Sequence, residues 1–166
     1  NKAWYINKKV ILPLSAFSEW RQTCSYEPDS YRVIEKLEDI EKALNYLDAG
    51  RTDNINIKNA MAEAKENGET SKIELKFFTV TFYKKGTTHI EFTDLELLKK
   101  FNIFGCQQKK WLPPSYGKAS YSTMSKAEKT VIDSFEGKEE YEKVYINPDF
   151  YLFSASQIPL LEMNAG

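Results

Sequence analysis

The one histidine of the chain, His89, stands two residues from Glu91, a spacing that puts both side chains on one side of an extended strand. An imidazole beside a carboxylate can act as a general base. Base chemistry also needs a nucleophile, and no Ser or Cys stands in a recognisable local context for one. The ordinary reading of the pair is a surface or cross-strand contact. Two isolated cysteines, Cys24 and Cys106, lack the paired spacing of a zinc site. The chain has no Gly-x-Gly-x-x-Gly string and no P-loop, so no Gly-rich cradle for a dinucleotide, a nucleotide or S-adenosylmethionine is visible. No cofactor, no metal and no catalytic residue are expected from these patterns.

The loop Lys109 to Lys118 carries a different chemistry. Leu112-Pro113-Pro114-Ser115-Tyr116 approaches the Asn/Asp-Pro-Pro-Tyr/Phe tetrapeptide with which adenine N6 methyltransferases hold a flipped base. Leu112 cannot accept the bond from the target amine that the polar first residue takes, and Ser115 displaces the aromatic. It is not that active site. Lys109, Lys110 and Lys118 bracket Trp111 and Tyr116, which sets charge for phosphates beside rings that stack on bases. Lys84 and Lys85 at a predicted turn, with Lys99 and Lys100 at a predicted helix end, would extend such a patch. The competing reading folds Trp111 and the two prolines onto the core as a rigid lid, because Trp is usually well buried. The acidic run Glu35 to Glu41 reads as a solvated helix face.

The elements that must position these residues are short. Lys9 to Leu12 predicts a strand that Pro13 ends or confines to an edge. Ser15 to Gln22 predicts a short helix capped by Ser15. Ile34, Leu37, Ile40, Leu44 and Leu47 recur at three- and four-residue steps and predict an amphipathic helix over 31–47, stopped at Gly50. A second helix is predicted over 55–65, capped by Asp53 or Asn54 and ended by Asn67-Gly68. Residues 73–83 and 88–92 predict a β-hairpin around Gly86. Its first strand changes parity near Phe77-Phe78, which predicts a bulge or two buried faces. Thr93 and Glu96 predict a capping box for a helix over 94–101. Gly105 to Gly117 reads as an irregular loop. Ser125 and Glu128 predict a second capping box for a helix ending at Phe135, and 138–146 a further helix stopped at Asn147-Pro148. Together these predict an α+β fold: a small, mostly antiparallel sheet centred on the hairpin, with the 9–12 strand as a candidate member and the 31–47 helix across one face.

Composition bounds the function classes. Hydrophobic residues make up 42% and aromatics 14%, enough for a core in one domain over 1–153, with a weakly patterned tail over 154–166. The net charge of −1 offers no global footprint for nucleic acid or membrane, so any basic surface must be local. Two cysteines are too few for a disulfide framework, and a reduced cytoplasmic setting is expected. No apolar run approaches the roughly 20 residues of a spanning helix. The chain begins at Asn1 without an initiating Met, and is expected to be a piece of a longer protein.

Several strings resemble a bacterial family catalogued as a domain of unknown function. They are Phe77 to Gly86 (FFTVTFYKKG), His89 to Phe92, Leu97 to Asn102, Trp111 to Gly117 (WLPPSYG), Val131 to Gly137 (VIDSFEG) and Asn147-Pro148. The opening Asn7 to Leu14 is similar to the same family. Its members occur on phages, plasmids and integrative elements, often as the C-terminal part of DNA methyltransferase-like proteins. There the cofactor loop and catalytic tetrapeptide lie upstream, and this chain has neither. The resemblance thus implies a non-catalytic accessory or DNA-recognition domain, with DNA and the other domains of the parent protein as partners. Two other readings stand beside it: a protein-interaction or dimerisation module, and an enzyme using His89 and Glu91.

Overall fold

A computed structural model describes residues 5–20, 22–49 and 56–152 of the chain. The predicted Gly50 stop, the Asp53 or Asn54 cap and the 154–166 tail lie outside these residues. The architecture is α+β. The chain divides into two compact units, one of Ile6–Leu98 and one of Asn1–Tyr5 with Lys99–Gly166. Length and composition do not show this division.

The first unit holds the sheet. β1 (Lys9–Leu12), β4 (Ile73–Glu74), β5 (Phe78–Tyr83) and β6 (Thr87–Phe92) form four antiparallel strands in the order β1-β6-β5-β4. Pro13 follows directly on β1, and β1 is an edge strand, where a missing N–H costs no ladder bond. Phe78, Val80 and Phe82 of β5 are buried with Thr88, Ile90 and Phe92 of β6, so one face of the central pair is covered. Gly86 takes φ 94° in the β5–β6 turn, a region costly for any residue with a Cβ.

Two predicted features of this unit differ in the structure. The parity change at Phe77-Phe78 is neither a bulge nor one strand with two buried faces. The chain reverses there: Ile73 pairs with Val80 and Glu74 with Thr79, closed by a Leu75 N–H bond to the Phe78 carbonyl of 2.9 Å. No Gly or Pro marks this turn, so composition alone did not reveal it. The predicted helix over 15–22 is instead β2 (Phe17–Trp20), paired with β3 (Thr23–Tyr26). Gln22 supplies a positive φ of 70° at their turn. Phe17 stacks on Tyr26 at 5.0 Å, a cross-strand aromatic pair that a short helix could not make.

Helices α1 (Tyr31–Ala49) and α2 (Ile57–Asn67) complete the unit. Gly68 ends α2 in the left-handed region at φ 63°, as its sequence predicts. On α1 the buried stripe runs through Val33, Leu37, Glu41 and Leu44, while Ile34 and Ile40 are only half-buried.

In the second unit, α4 (Lys126–Phe135), α5 (Lys138–Ile146) and the short α6 (Pro148–Tyr151) surround a core of Ile103, Met124, Ile132, Phe135, Tyr141 and Val144. α3 (Leu95–Gln108) starts in the first unit and ends in the second. The Ser125–Glu128 capping box forms as predicted, with both reciprocal bonds present. At α3 the cap is Asp94 rather than Thr93: its Oδ1 accepts the Leu97 N–H at 3.0 Å. Pro148 both stops α5 and opens α6, since a helix tolerates Pro in its first turn. Among the described residues, no helix is long and apolar enough to cross a membrane.

Candidate nucleic-acid interface

The end of α3 places the basic aromatic loop. The predicted helix stops near Phe101, yet α3 continues through Gly105 to Gln108. It closes by two bonds, Trp111 N–H to the Cys106 carbonyl at 2.9 Å and Lys110 N–H to the Gln107 carbonyl at 3.0 Å. This is the Schellman pattern, with Lys110 at the position that glycine usually holds. Lys110 adopts φ 58°, a left-handed conformation that costs a residue with a Cβ about 1–2 kcal/mol. The turn projects Trp111 outward, and 48% of it is exposed. Lys109 and Lys110 are exposed beside it, as is Lys118 further along the loop. Among the described residues, none of these three lysines makes an ion pair.

Tyr116 does not join that surface. It is only 2% exposed, so its ring has no face to offer a base. Its hydroxyl donates to Glu136 Oε1, and its ring meets Tyr141 edge-on at 5.2 Å. The Tyr141 hydroxyl accepts the Gly117 N–H at 3.1 Å and donates to the Ala119 carbonyl. The Leu-Pro-Pro-x-Tyr-Gly and Phe-Glu-Gly strings thus meet in the core through Tyr116 and Glu136. Ser115 Oγ donates to Glu128 Oε1 at 2.8 Å, which ties the loop to the capping box of α4. Bonds from the Ser125 backbone and from Ser115 hold the Glu128 carboxyl below the usual range. Burial pushes the Cys106 thiol up to about 11, with the charge of Glu136 adding to it, so this cysteine is not a nucleophile at neutral pH.

Lys99, placed by sequence at a helix end, is buried in this network. Its ammonium donates to Glu140 Oε2 at 2.8 Å and to the Glu140 carbonyl at 2.7 Å, and lies 3.8 Å from Glu136 Oε2. It also sits over the Tyr151 ring at 4.8 Å. Lys99 is therefore a structural cation rather than part of a surface patch. Lys84 and Lys85 are exposed on the β5–β6 turn of the other unit, with Lys85 over the Tyr83 ring at 5.6 Å. His89 and Glu91 share the half-buried face of β6, but each is engaged separately. The His89 ring packs on Tyr83 at 4.4 Å, and Glu91 pairs with Lys8 at 3.4 Å.

An open cleft of about 260 Å3 lies between Trp111 and the Thr130, Val131 and Ser134 face of α4. One wall is an indole and the other a valine flanked by two hydroxyls. With Lys109 and Lys110 next to it in the chain, it is the most ligand-like feature of the loop.

The family model for "Domain of unknown function (DUF4942)" matches residues 1–111. The chain belongs to this family. The match takes in the whole sheet unit and α3, and ends at Trp111. Leu112 to Gly117 and Val131 to Gly137 lie beyond it. No curated protein and no solved structure matches the chain.

Sequence reasoning missed Glu41. The acidic run around it reads as solvated, and its neighbours Glu35 and Asp39 are exposed, but Glu41 is 3% exposed. The signal was present, since Glu41 lies four residues after Leu37 and three before Leu44 and so shares their stripe. It lines a second cavity, of about 300 Å3, with Asn56, Ile57, Ala60 and Lys76 among the other walls. Its Oε2 has no hydrogen-bond partner among the described residues. Burial raises the Glu41 carboxyl above its ordinary value, with the Lys76 ammonium and backbone N–H opposing the shift and Glu38 adding to it. A carboxyl raised in the fold binds its proton more tightly there than in the unfolded chain. Its contribution to stability is complete below the ordinary carboxylate value and is lost as pH rises through the raised one. Glu41→Gln is accordingly expected to match the wild type near pH 4 and to unfold at higher urea at pH 7. Parallel urea curves at both pH values would refute an ionisation cost at this site.

Proposed function

We propose that this chain is a non-catalytic nucleic-acid-contact module, working as the accessory or recognition domain of a DNA-modifying protein of mobile elements. Its contact surface is the end of α3 and the loop after it: Lys109, Lys110, Trp111 and Lys118. Lys84 and Lys85 offer a second basic turn on the other unit. The observation that carries the reading is Lys110 in the left-handed region. A residue that costs more than glycine occupies the turn that presents Trp111, which suits a position held for its ammonium as well as its backbone. Three lysines without an ion pair among the described residues, around an exposed indole, are what phosphate and base contact require. The setting follows from the resemblance to methyltransferase-associated domains, and a reduced, cytoplasmic one from the two isolated cysteines. The other domains of such a parent are its further partners.

A helix C-terminus also favours cations, so Lys109 and Lys110 stabilise α3 by about 0.3–1 kcal/mol on that account alone. Lys110→Gly separates the two roles. It relieves the left-handed strain and keeps the turn, so stability is expected to hold or rise while DNA affinity falls. Fluorescence anisotropy with labelled duplex and single-stranded DNA, over a salt series, reads this out. The Lys109→Ala/Lys110→Ala pair is expected to flatten the slope of log affinity against log salt by about 1 for each phosphate contact removed. Absence of binding at low salt would overturn the proposal.

A further inference from the structure

The cleft beside Trp111 has the makings of a base site, and we propose that it takes one unpaired nucleobase. The surface would then prefer single-stranded or locally opened nucleic acid to intact duplex. This rests on the nucleic-acid reading above and names the form of ligand for that same loop.

The argument begins from the walls. Thr130, Val131 and Ser134 fall on one face of α4, because positions four apart in a helix are neighbours and the third lies next to them. Their side chains are small, and they leave the Trp111 ring facing a cleft of about 260 Å3 rather than a packed core. That is at the small end for ligand pockets, below what drug-sized molecules or cofactors occupy. A flat heterocycle suits it: one face on the indole, its edge toward the two hydroxyls. The Thr130 hydroxyl already donates to the Lys126 carbonyl at 2.9 Å, so toward a ligand it serves as an acceptor. Ser134 can donate or accept. Hydroxyls that adapt in this way do not select one base strongly, so stacking would set affinity and sequence preference would be slight.

Charge fixes the class of occupant. Lys109 and Lys110 adjoin Trp111 and make no ion pair among the described residues. An apolar slot next to uncommitted cations suits a ring carried on a phosphodiester backbone. In intact duplex each base is covered on both faces by its neighbours, so Trp111 could stack only on a base that is already unpaired or flipped out.

The test compares three labelled ligands of equal length at low salt: oligo-dT, a hairpin duplex, and an abasic strand with the same number of phosphates. The proteins are the wild-type chain, Trp111→Leu and Lys110→Gly. Trp111 is half-exposed, and circular dichroism would verify that its replacement folds. The wild type is expected to bind oligo-dT about tenfold more tightly than either other ligand, the effect of roughly one stacked base. Trp111→Leu is expected to remove that preference, with the largest loss of affinity for oligo-dT, so that the variant binds all three ligands alike. Lys110→Gly should lower affinity for all three ligands alike. Equal binding of all three by the wild type, or a Trp111→Leu loss that is the same for each, would refute the base site and leave the DNA-contact reading standing. No binding to any of them would remove both, and would leave the cleft to a protein partner.

Discussion

Lys99→Ala is expected to destabilise the protein by about 3–5 kcal/mol at neutral pH, the usual cost of removing one partner of a buried ion pair. The Lys99 side chain is 10% exposed and that of Glu136 4%, so neither charge can turn to water. With the ammonium gone, Glu136 retains the Tyr116 hydroxyl as a donor but has no cation, and Glu140 loses its buried contact. Burial already raises the Glu136 carboxyl, against the Tyr116 bond and the Lys99 charge, while Glu140 adds to the rise. Without Lys99 the raising influences act with less opposition. A raised carboxyl supplies stability that is present at low pH and lost as pH rises through its folded value. The Lys99→Ala penalty should therefore be smallest near pH 4 and grow toward pH 7. Lys99→Met with Glu136→Gln should recover much of the loss, because a buried pair replaced as a whole by groups of similar volume is often near neutral. Urea midpoints for the single and double variants at two pH values decide the matter. A loss under about 1 kcal/mol that does not vary with pH would show that the pair is effectively solvated.

Tyr141→Ala is expected to cost a similar amount. Loss of a fully buried aromatic ring typically costs about 3–5 kcal/mol, and Tyr141 is 0% exposed in the core of its unit. Its hydroxyl also holds the loop from beneath, between the Gly117 N–H and the Ala119 carbonyl. Tyr141→Phe isolates that second role: it keeps the ring and orphans two backbone groups, each worth about 1–3 kcal/mol if buried. Amide exchange should quicken at Gly117 in the Phe variant before global unfolding does. If the Phe variant kept the wild-type midpoint and Gly117 stayed protected, the loop would be held by other contacts. The hydroxyl bonds bear on the proposed contact surface as well, because Lys118 lies between the two residues they fix.

Two of the strings that carry the resemblance, both beyond the residues the family model matches, hold structural residues. Tyr116 and Glu136 stand in the two most distinctive strings of the chain, and they hydrogen-bond to each other inside a core. Trp111 and Lys110, which face solvent, are the ones that can touch a partner. A string can therefore be distinctive because it closes a loop over a core rather than because it does chemistry. That distinction is invisible until burial is known, since Tyr116 and Trp111 are equally fit for stacking by residue type alone.

What the sequence by itself determined here is what adjacent residues settle among themselves. The Ser125–Glu128 box, the Gly68 stop and the Gly86 turn all formed where local chemistry put them, because a cap or a positive φ is a contest within a few residues. The α+β class followed from periodicity, with the strand pair around Gly86 as its centre. Tertiary structure decided everything that depends on a distant partner. It drew Glu41 and Lys99 inward, turned the chain at Leu75–Phe78 without a turn residue, and made 17–20 a strand by giving it 23–26 to pair with. It also carried α3 on to Gln108 and set Lys110 in a conformation its side chain resists. The physical reason is one of scale. Local preferences differ by about 1 kcal/mol or less per residue, whereas burying a large side chain is worth about 1.5–3 kcal/mol, so packing overrides propensity wherever the two disagree.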